Sequence, residues 1–338
     1  MRWSAVGDWK SASLLLLVAF GLISALDFRL KAEATRSLKD TTARTRGFRL
    51  QAEVHLRVSR TSFIKPDGSP FRWRGITAFR LLEFVAHGKE AEADAYLKWA
   101  ASQKLTIVRV LGMADGLFTL SPADGLRALP RLLEMAQRHG LYVELVALAD
   151  TATIALDIPR HVEAVAKICA RHPNVLLEIA NEPVHPTQVK ALHDPAYVKT
   201  LARLVPAGVP VSWGSVENGD GFGAGSYVTW HAPRGRDWPR QIGAQGAALI
   251  RKFKKPVISD EPMGAADTAV PGRRDNDPAR FLASAQAAAR AGLGATFHYE
   301  GGLQAKLPTR VEHACLQAWL GGLPERSEAS AEGISGRR

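Results

Sequence analysis

Two short stretches of this 338-residue chain end an apolar run in an acid followed by proline: VLLEIANEPVHP, residues 175–186, and PVISDEPMG, residues 256–264. Their glutamates, Glu182 and Glu261, are 79 positions apart. Two carboxyl groups brought face to face can cleave a glycoside. One protonates the departing oxygen, while the other attacks the sugar carbon at a gap of about 5 Å or activates water across a wider one. Ionising one raises the pKa of the other, so such a pair can hold one proton near neutral pH. A lone glutamate at a strand end is most often a solvated rim acid. Two of them, each followed by proline and one preceded by Asn181, point to a site.

Positioning such a pair requires a scaffold that brings strand ends together. From residue 54 onward, β-rich runs alternate with helical ones. The spacing predicts strands over 71–79, 106–111, 141–149, 174–181, 210–216, 226–231, 256–261 and 294–299. A helical pattern follows each except the fifth, where ENGDGFGAGS is too glycine-rich. Eight such units imply a parallel sheet covered by helices and closed into a (β/α)8 TIM barrel over residues 54–322. The alternative, a doubly wound open sheet, would carry a glycine-rich phosphate loop after its first strand, and GITAFR is not one. Ahead of the barrel, VHLRVS and SFIKPDGSPFRW predict a short N-terminal β-hairpin cap turning at Asp67–Gly68.

In a barrel the strand C-termini ring the mouth, and alternate residues face the axis. For the fourth strand this places Leu176, Glu178, Ala180 and Glu182 inward and Asn181 outward. For the seventh it places Val257, Ser259 and Glu261 inward and Asp260 outward.

IANEP followed at this distance by PVISDEPMG resembles the clan A glycoside hydrolases, nearest to the family 5 cellulase and β-mannanase type, over roughly residues 60–320. The resemblance implies a retaining double displacement with Glu182 as acid/base and Glu261 as nucleophile. It also implies that Asn181 binds the sugar 2-hydroxyl, that Arg109 in TIVRVL stands near the nucleophile, and that His231 contacts sugar or acid. The chain departs from the family at three strand ends. Asp150 stands where a histidine is common after strand three, Pro233 where a tyrosine follows the strand-six histidine, and FHYEGG where a tryptophan ends strand eight. His298 or Tyr299 is the expected replacement stacking surface, and Trp238, read as a loop residue, is a further candidate. Glu217 and Glu300 are expected to bind hydroxyls or face solvent. Arg234, Arg236, Arg240, Arg273 and Arg274 are either solvated loop charges or recognise a sugar carboxylate.

The expected partner is an oligo- or polysaccharide, with no metal and no organic cofactor: RGITAFR lacks a His-x-His pair and no HExxH occurs. A transglycosylase would use the same two glutamates. A barrel that binds glycan without turning it over is the reading from another class. The net charge of +11 does not indicate nucleic acid, because residues 1–60 contribute +6 and the remaining 278 only +5, and no nucleic-acid-binding motif occurs. Arg2 and Lys10 precede the apolar run 12–26, so residues 1–26 read as an export signal or N-terminal anchor and the protein as periplasmic or secreted. Residues 27–53 read as a basic linker and 323–338 as a disordered tail. Cys169 and Cys315 read as small buried residues. Oligomeric state is not legible.

Overall fold

The computed structural model describes residues 55–215, 221–268 and 273–324. The expected leader, linker and most of the expected tail, together with Glu217, lie outside them.

The chain enters through a small antiparallel sheet of β1 (Arg57–Ser59), β2 (Ser62–Ile64) and β3 (Pro70–Phe71). The β2–β3 turn is the expected one, with Gly68 at φ +85° and Asp67 Oδ1 accepting the Ser69 N–H at 2.8 Å. There follow β4 (Arg74–Thr77), α1 (Leu81–Ala86), α2 (Glu90–Ser102), β5 (Ile107–Leu111), α3 (Pro122–Arg138), β6 (Tyr142–Leu148), α4 (Ile158–Cys169), β7 (Val175–Ala180), α5 (Pro195–Ala202) and β8 (Val211–Ser212). The chain continues through β9 (Val228–Trp230), α6 (Trp238–Phe253), β10 (Val257–Ser259), β11 (Gly264–Ala265), β12 (Arg274–Asp275), α7 (Pro278–Ala291), β13 (Gly294–Phe297) and α8 (Arg310–Gly322). The helices start where the sequence provides caps. Ser121, Asp157, Asp194 and Asp277 each accept a backbone N–H with proline one or two residues on, and Thr309 forms a capping box with Glu312.

The eight barrel strands pair in parallel in the order β8-β7-β6-β5-β4-β13-β10-β9. Where β8 meets β9, a main-chain bond and a pair of hydroxyls bridge the two strands. Val211 O accepts from Ser226 N at 2.6 Å, and Ser212 Oγ lies 2.7 Å from Thr229 Oγ1. The sheet is thereby a (β/α)8 barrel, as the alternation predicts. Val108, Val110, Leu145, Leu177, Ile179 and Val257 face the helix layer and form the main core. The bottom of the lumen is a separate apolar plug in which Ile107, Leu176, Tyr227 and Ile258 from the strands meet Phe63, Phe71 and Trp73 from the cap and its exit. Because the plug is buried and apolar, the polar lumen above it faces the strand C-termini.

The parity read for β7 holds, with Leu176 in the plug and Glu178 above it. The parity read for β10 does not: Ile258 is in the plug and Val257 in the outer core, so Asp260 is the inward residue.

Candidate active site

Arg109 of β5 is the centre of the lumen. Its guanidinium is fully buried and lies 3.0 Å from Glu178, 3.3 Å from Asp260, 3.2 Å from Glu261 and 3.8 Å from Glu144, with its plane over Phe79 at 5.3 Å. One cation cannot neutralise four acids in a dry interior, so protons must remain in the cluster. Burial, then the neighbouring Glu178 charge, pushes the Glu144 pKa well above the carboxylate range, and burial raises Glu178 also. The Ser215 hydroxyl lies 2.7 Å from Glu178 Oε1 and 2.5 Å from Asp260 Oδ2. A hydroxyl has a single proton to donate, so two such close carboxyl contacts fit one acid being protonated.

Asn181 and Glu182 follow directly on β7. The ladder runs as far as Asn181 N, which donates to Leu148 O at 2.9 Å, and the chain then turns at Glu182 with φ +44°. That left-handed conformation is rare for a residue with a side chain, and such strain clusters where function requires it. Space for the turn comes from Gly214, at φ +148°, where a Cβ would lie 2.6 Å from Ala180 O and 2.4 Å from Pro183 Cγ. Alternation ends at the turn, so consecutive residues share the mouth. Asn181 Oδ1 accepts from Arg109 Nη2 at 2.9 Å, against the outward placement that parity gave, and Glu182 stands one-third exposed beside it.

Glu261 lies two residues beyond the last ladder residue of β10, so the strand's alternation no longer governs it. Arg109 reaches it from below at 3.2 Å, and Arg234 Nη2 donates to its Oε1 at 3.0 Å and to its main-chain carbonyl at 3.1 Å. His231 stands between the two glutamates, its Nδ1 3.2 Å from Glu182 Oε1 and its Nε2 3.3 Å from Glu261 Oε2. Two acids far apart in the chain therefore lie against the two nitrogens of one imidazole.

Burial alone would raise the Glu261 pKa, but the charges of His231, Arg109 and Arg234 outweigh it and hold this carboxyl well below its ordinary value. Burial likewise opposes a charge on His231, and Glu261, Asp260 and Glu182 overcome it, raising the pKa to about 9. The His231 hydrogen bond lowers Glu182, which outweighs burial and the Glu261 charge. The expectation that the two glutamates share a proton is not met: both carboxyl pKa values are lowered, and it is the imidazole between them whose pKa is raised.

His298, just past β13, is buried with Nδ1 3.0 Å from Thr77 Oγ1 and Nε2 3.8 Å from Glu261 Oε1. Burial lowers its pKa to about 3, so it is a neutral neighbour of the nucleophile position.

Two expected site residues are not at the mouth. Tyr299 is fully buried, stacks on Phe297 and places its hydroxyl 2.8 Å from that of Tyr96 and 2.5 Å from Lys306 O, because it alternates with the inward His298. Trp238 begins α6 rather than lying in a loop, and its buried indole packs on Phe281 and donates to Asp275 at 2.9 Å. Neither ring can stack on a sugar. Phe79, Trp213 and Trp230 are core residues, and Glu300 is an exposed partner of Arg274 at 2.8 Å. Ser215 and Thr77 were missed, although both are polar residues at the ends of predicted strands. The rule that singled out Glu182 would have found them.

A barrel whose strand ends gather two carboxylates, an arginine and two histidines has the layout of a polar catalytic mouth rather than a structural core. Comparison with solved structures identifies where this barrel recurs. The chain is similar to a β-glucanase from Saccharophagus degradans in complex with cellotetraose, at 12% identity and TM-score 0.59 over 79% of this chain and 92% of that one. It is similar to the catalytic domain of a mannanase from Streptomyces sp. SirexAA-E, at 16% identity and TM-score 0.53 over 80% and 91%. It also matches a solved structure from Bacteroides vulgatus ATCC 8482 at 16% identity and TM-score 0.58 over 78% of this chain, but spans only 60% of the length of that one. At these identities the likeness is one of fold. No protein-family model matches the chain, and no curated protein sequence does.

Proposed function

We propose that the protein is a retaining glycoside hydrolase that acts on a β-linked glycan by double displacement, with Glu182 as acid/base and Glu261 as nucleophile. The observation that carries this reading is the placement of both carboxylates against one imidazole, one of them clamped by two guanidinium groups and the other one-third exposed at the mouth. The barrel shared with solved glucanases and mannanases supports a saccharide in that mouth.

Glu261, kept ionised, attacks the anomeric carbon as the glycosidic C–O bond breaks, and Glu182 delivers a proton to the departing oxygen. That proton comes from His231. As Glu261 becomes an ester its charge disappears, and with it the largest influence favouring a cationic His231. In that same step the imidazole passes its proton along the hydrogen bond to Glu182, which hands it on to the departing oxygen. In the second half, Glu182 takes a proton from water, the hydroxide oxygen bonds to the anomeric carbon, the ester breaks, and the proton returns to His231 as Glu261 regains its charge. Arg109 and Asn181 hold the floor of the site, and Asn181 offers its amide to the 2-hydroxyl.

Two expected results follow from this. A β-glycoside hydrolysed in an NMR tube gives the β-anomer first, before mutarotation, and first formation of the α-anomer would remove the nucleophile role of Glu261. The second concerns pH. Because the His231 pKa is raised from 6.5, the stability it contributes is complete below pH 6.5 and is lost as pH rises through about 9. The same titration removes the proton needed by the leaving group. The pH profile of kcat/KM, which reports the free enzyme, is therefore expected to fall on its alkaline side with an apparent pKa of about 9. In His231→Asn that limb moves to lower pH, and an unmoved limb would exclude the imidazole as the proton's resting place.

A further inference from the structure

The loop after β9 contributes a residue whose chemistry neither the barrel nor the two glutamates account for. Arg234 stands three residues past His231, next to the Pro233 that departs from the resembled family. A single nitrogen, Nη2, makes both of its contacts, to Glu261 Oε1 and to Glu261 O. Its Nε and Nη1 have no hydrogen-bond partner among the described residues, and its side chain is 32% exposed toward the mouth. A guanidinium presents a planar fork of five N–H donors that matches a carboxylate. Here the fork is held in place at one corner and open along its other edge.

The charge balance around it is also unusual. Glu261 meets three cationic groups, Arg109, His231 and Arg234, and of these only Arg234 is exposed at the mouth. The side chain of Arg274, paired with Glu300 at 2.8 Å, runs along the same wall, where a Cβ added to Gly264 would lie 3.0 Å from both Arg274 Cδ and His298 Cδ2. When Glu261 becomes an ester it ceases to compensate Arg234, and an anion on the bound sugar would take its place. The rings expected to stack on a neutral sugar, Tyr299 and Trp238, are sealed in the core.

We propose that Arg234 reads a carboxylate on the substrate, so that the sugar seated at Glu261 is a uronosyl residue. This deepens the proposed glycosidase function and rests on it, and it makes Arg234 both a specificity residue and a clamp on the nucleophile.

The test separates binding from turnover, so that it stands even if no glycoside is cleaved. Methyl β-glucuronide, methyl β-glucoside and methyl β-glucoside 6-sulfate are titrated into the full chain and into Arg234→Gln and Arg234→Lys, with binding followed by NMR. Melting curves check that the variants fold. The wild type is expected to bind the glucuronide roughly 10- to 100-fold more tightly than the glucoside, the difference made by charge-assisted hydrogen bonds. Arg234→Gln is expected to lose that preference, and Arg234→Lys to keep part of it. Equal affinity for glucuronide and glucoside in the wild type, or a preference that survives Arg234→Gln, overturns the proposal. Preference for the sulfate over the carboxylate overturns the uronosyl assignment. The glycosidase reading falls separately, if the wild type turns over neither aryl β-glucuronides nor aryl β-glucosides while still binding the glucuronide.

Discussion

Glu261→Ala is expected to lower kcat/KM for an aryl β-glycoside by about 10⁴- to 10⁶-fold, the range seen when a nucleophile is removed from an otherwise intact site. The physical reason extends beyond the missing oxygen. Glu261 accepts from Arg109 and Arg234 and lies 3.3 Å from the His231 ring. Removing its carboxylate leaves two guanidinium groups facing a space that a small anion fits. Azide or formate is therefore expected to enter and restore turnover. Attack by that external anion is a single displacement, so the azide product from a β-glycoside has α configuration, and NMR of the product distinguishes it from the β product of the wild type. A second signature follows from the charge balance. The Glu261 charge is the largest factor raising the His231 pKa toward 9, so its loss moves the alkaline limb to lower pH. Its own depressed pKa contributes stability that is present above the ordinary value of 4.5 and is lost as pH falls through the folded value. The alanine variant should thus lose stability at neutral pH and recover part of it with the rescuing anion. A variant that hydrolyses as fast as the wild type would remove Glu261 from the chemistry. A wild type that consumes no glycoside, with a variant that binds glycan as tightly, would make the barrel a binding protein.

What the sequence shows of this site depends on how far regular pairing reaches. The βα alternation and its strand-end acids were legible because each strand is an apolar run bounded by helical periodicity. The parity of β7 was legible because six residues sit in the ladder, which fixes which face Leu176 and Glu178 take. β10 has only three ladder residues, and its inward set begins at Ile258, so counting back from the glutamate misplaced Asp260. Glu261 nevertheless faces the mouth, because beyond the ladder nothing imposes alternation. The same single-residue step separates His298, at the nucleophile, from Tyr299, in the core. Trp238 could not be placed from sequence, because its burial depends on Asp275, 37 residues away and on another element. The raised pKa of His231 was illegible for a related reason: Glu261, Asp260 and Glu182, which raise it, come from two different strand ends, and only closure of the barrel brings them together.

Glu182→Gln tests the other half of the pair, and its effect is expected to depend on the leaving group. General acid assistance contributes about 10² to 10⁴ in rate. For a natural saccharide, whose departing hydroxyl is a poor leaving group, kcat/KM should fall over that whole range. For an aryl glycoside with a strongly acidic phenol, bond breaking needs no proton, and kcat/KM should change little. The slow step for that substrate becomes breakdown of the glycosyl ester, where Glu182 acts as base, so kcat falls while KM falls with it and a burst of phenol precedes the steady state. Glutamine can still hydrogen-bond His231 but carries no charge, and Glu182 contributes to the raised His231 pKa by hydrogen bond and by charge. Because a carboxamide cannot carry the His231 proton to the leaving group, the alkaline limb of kcat/KM near pH 9 should be absent in this variant, whereas in Glu261→Ala it is only moved to lower pH. A uniform loss across good and poor leaving groups, with no burst, would show that Glu182 orients the sugar instead of moving a proton, and would shift the acid role to another group at the mouth.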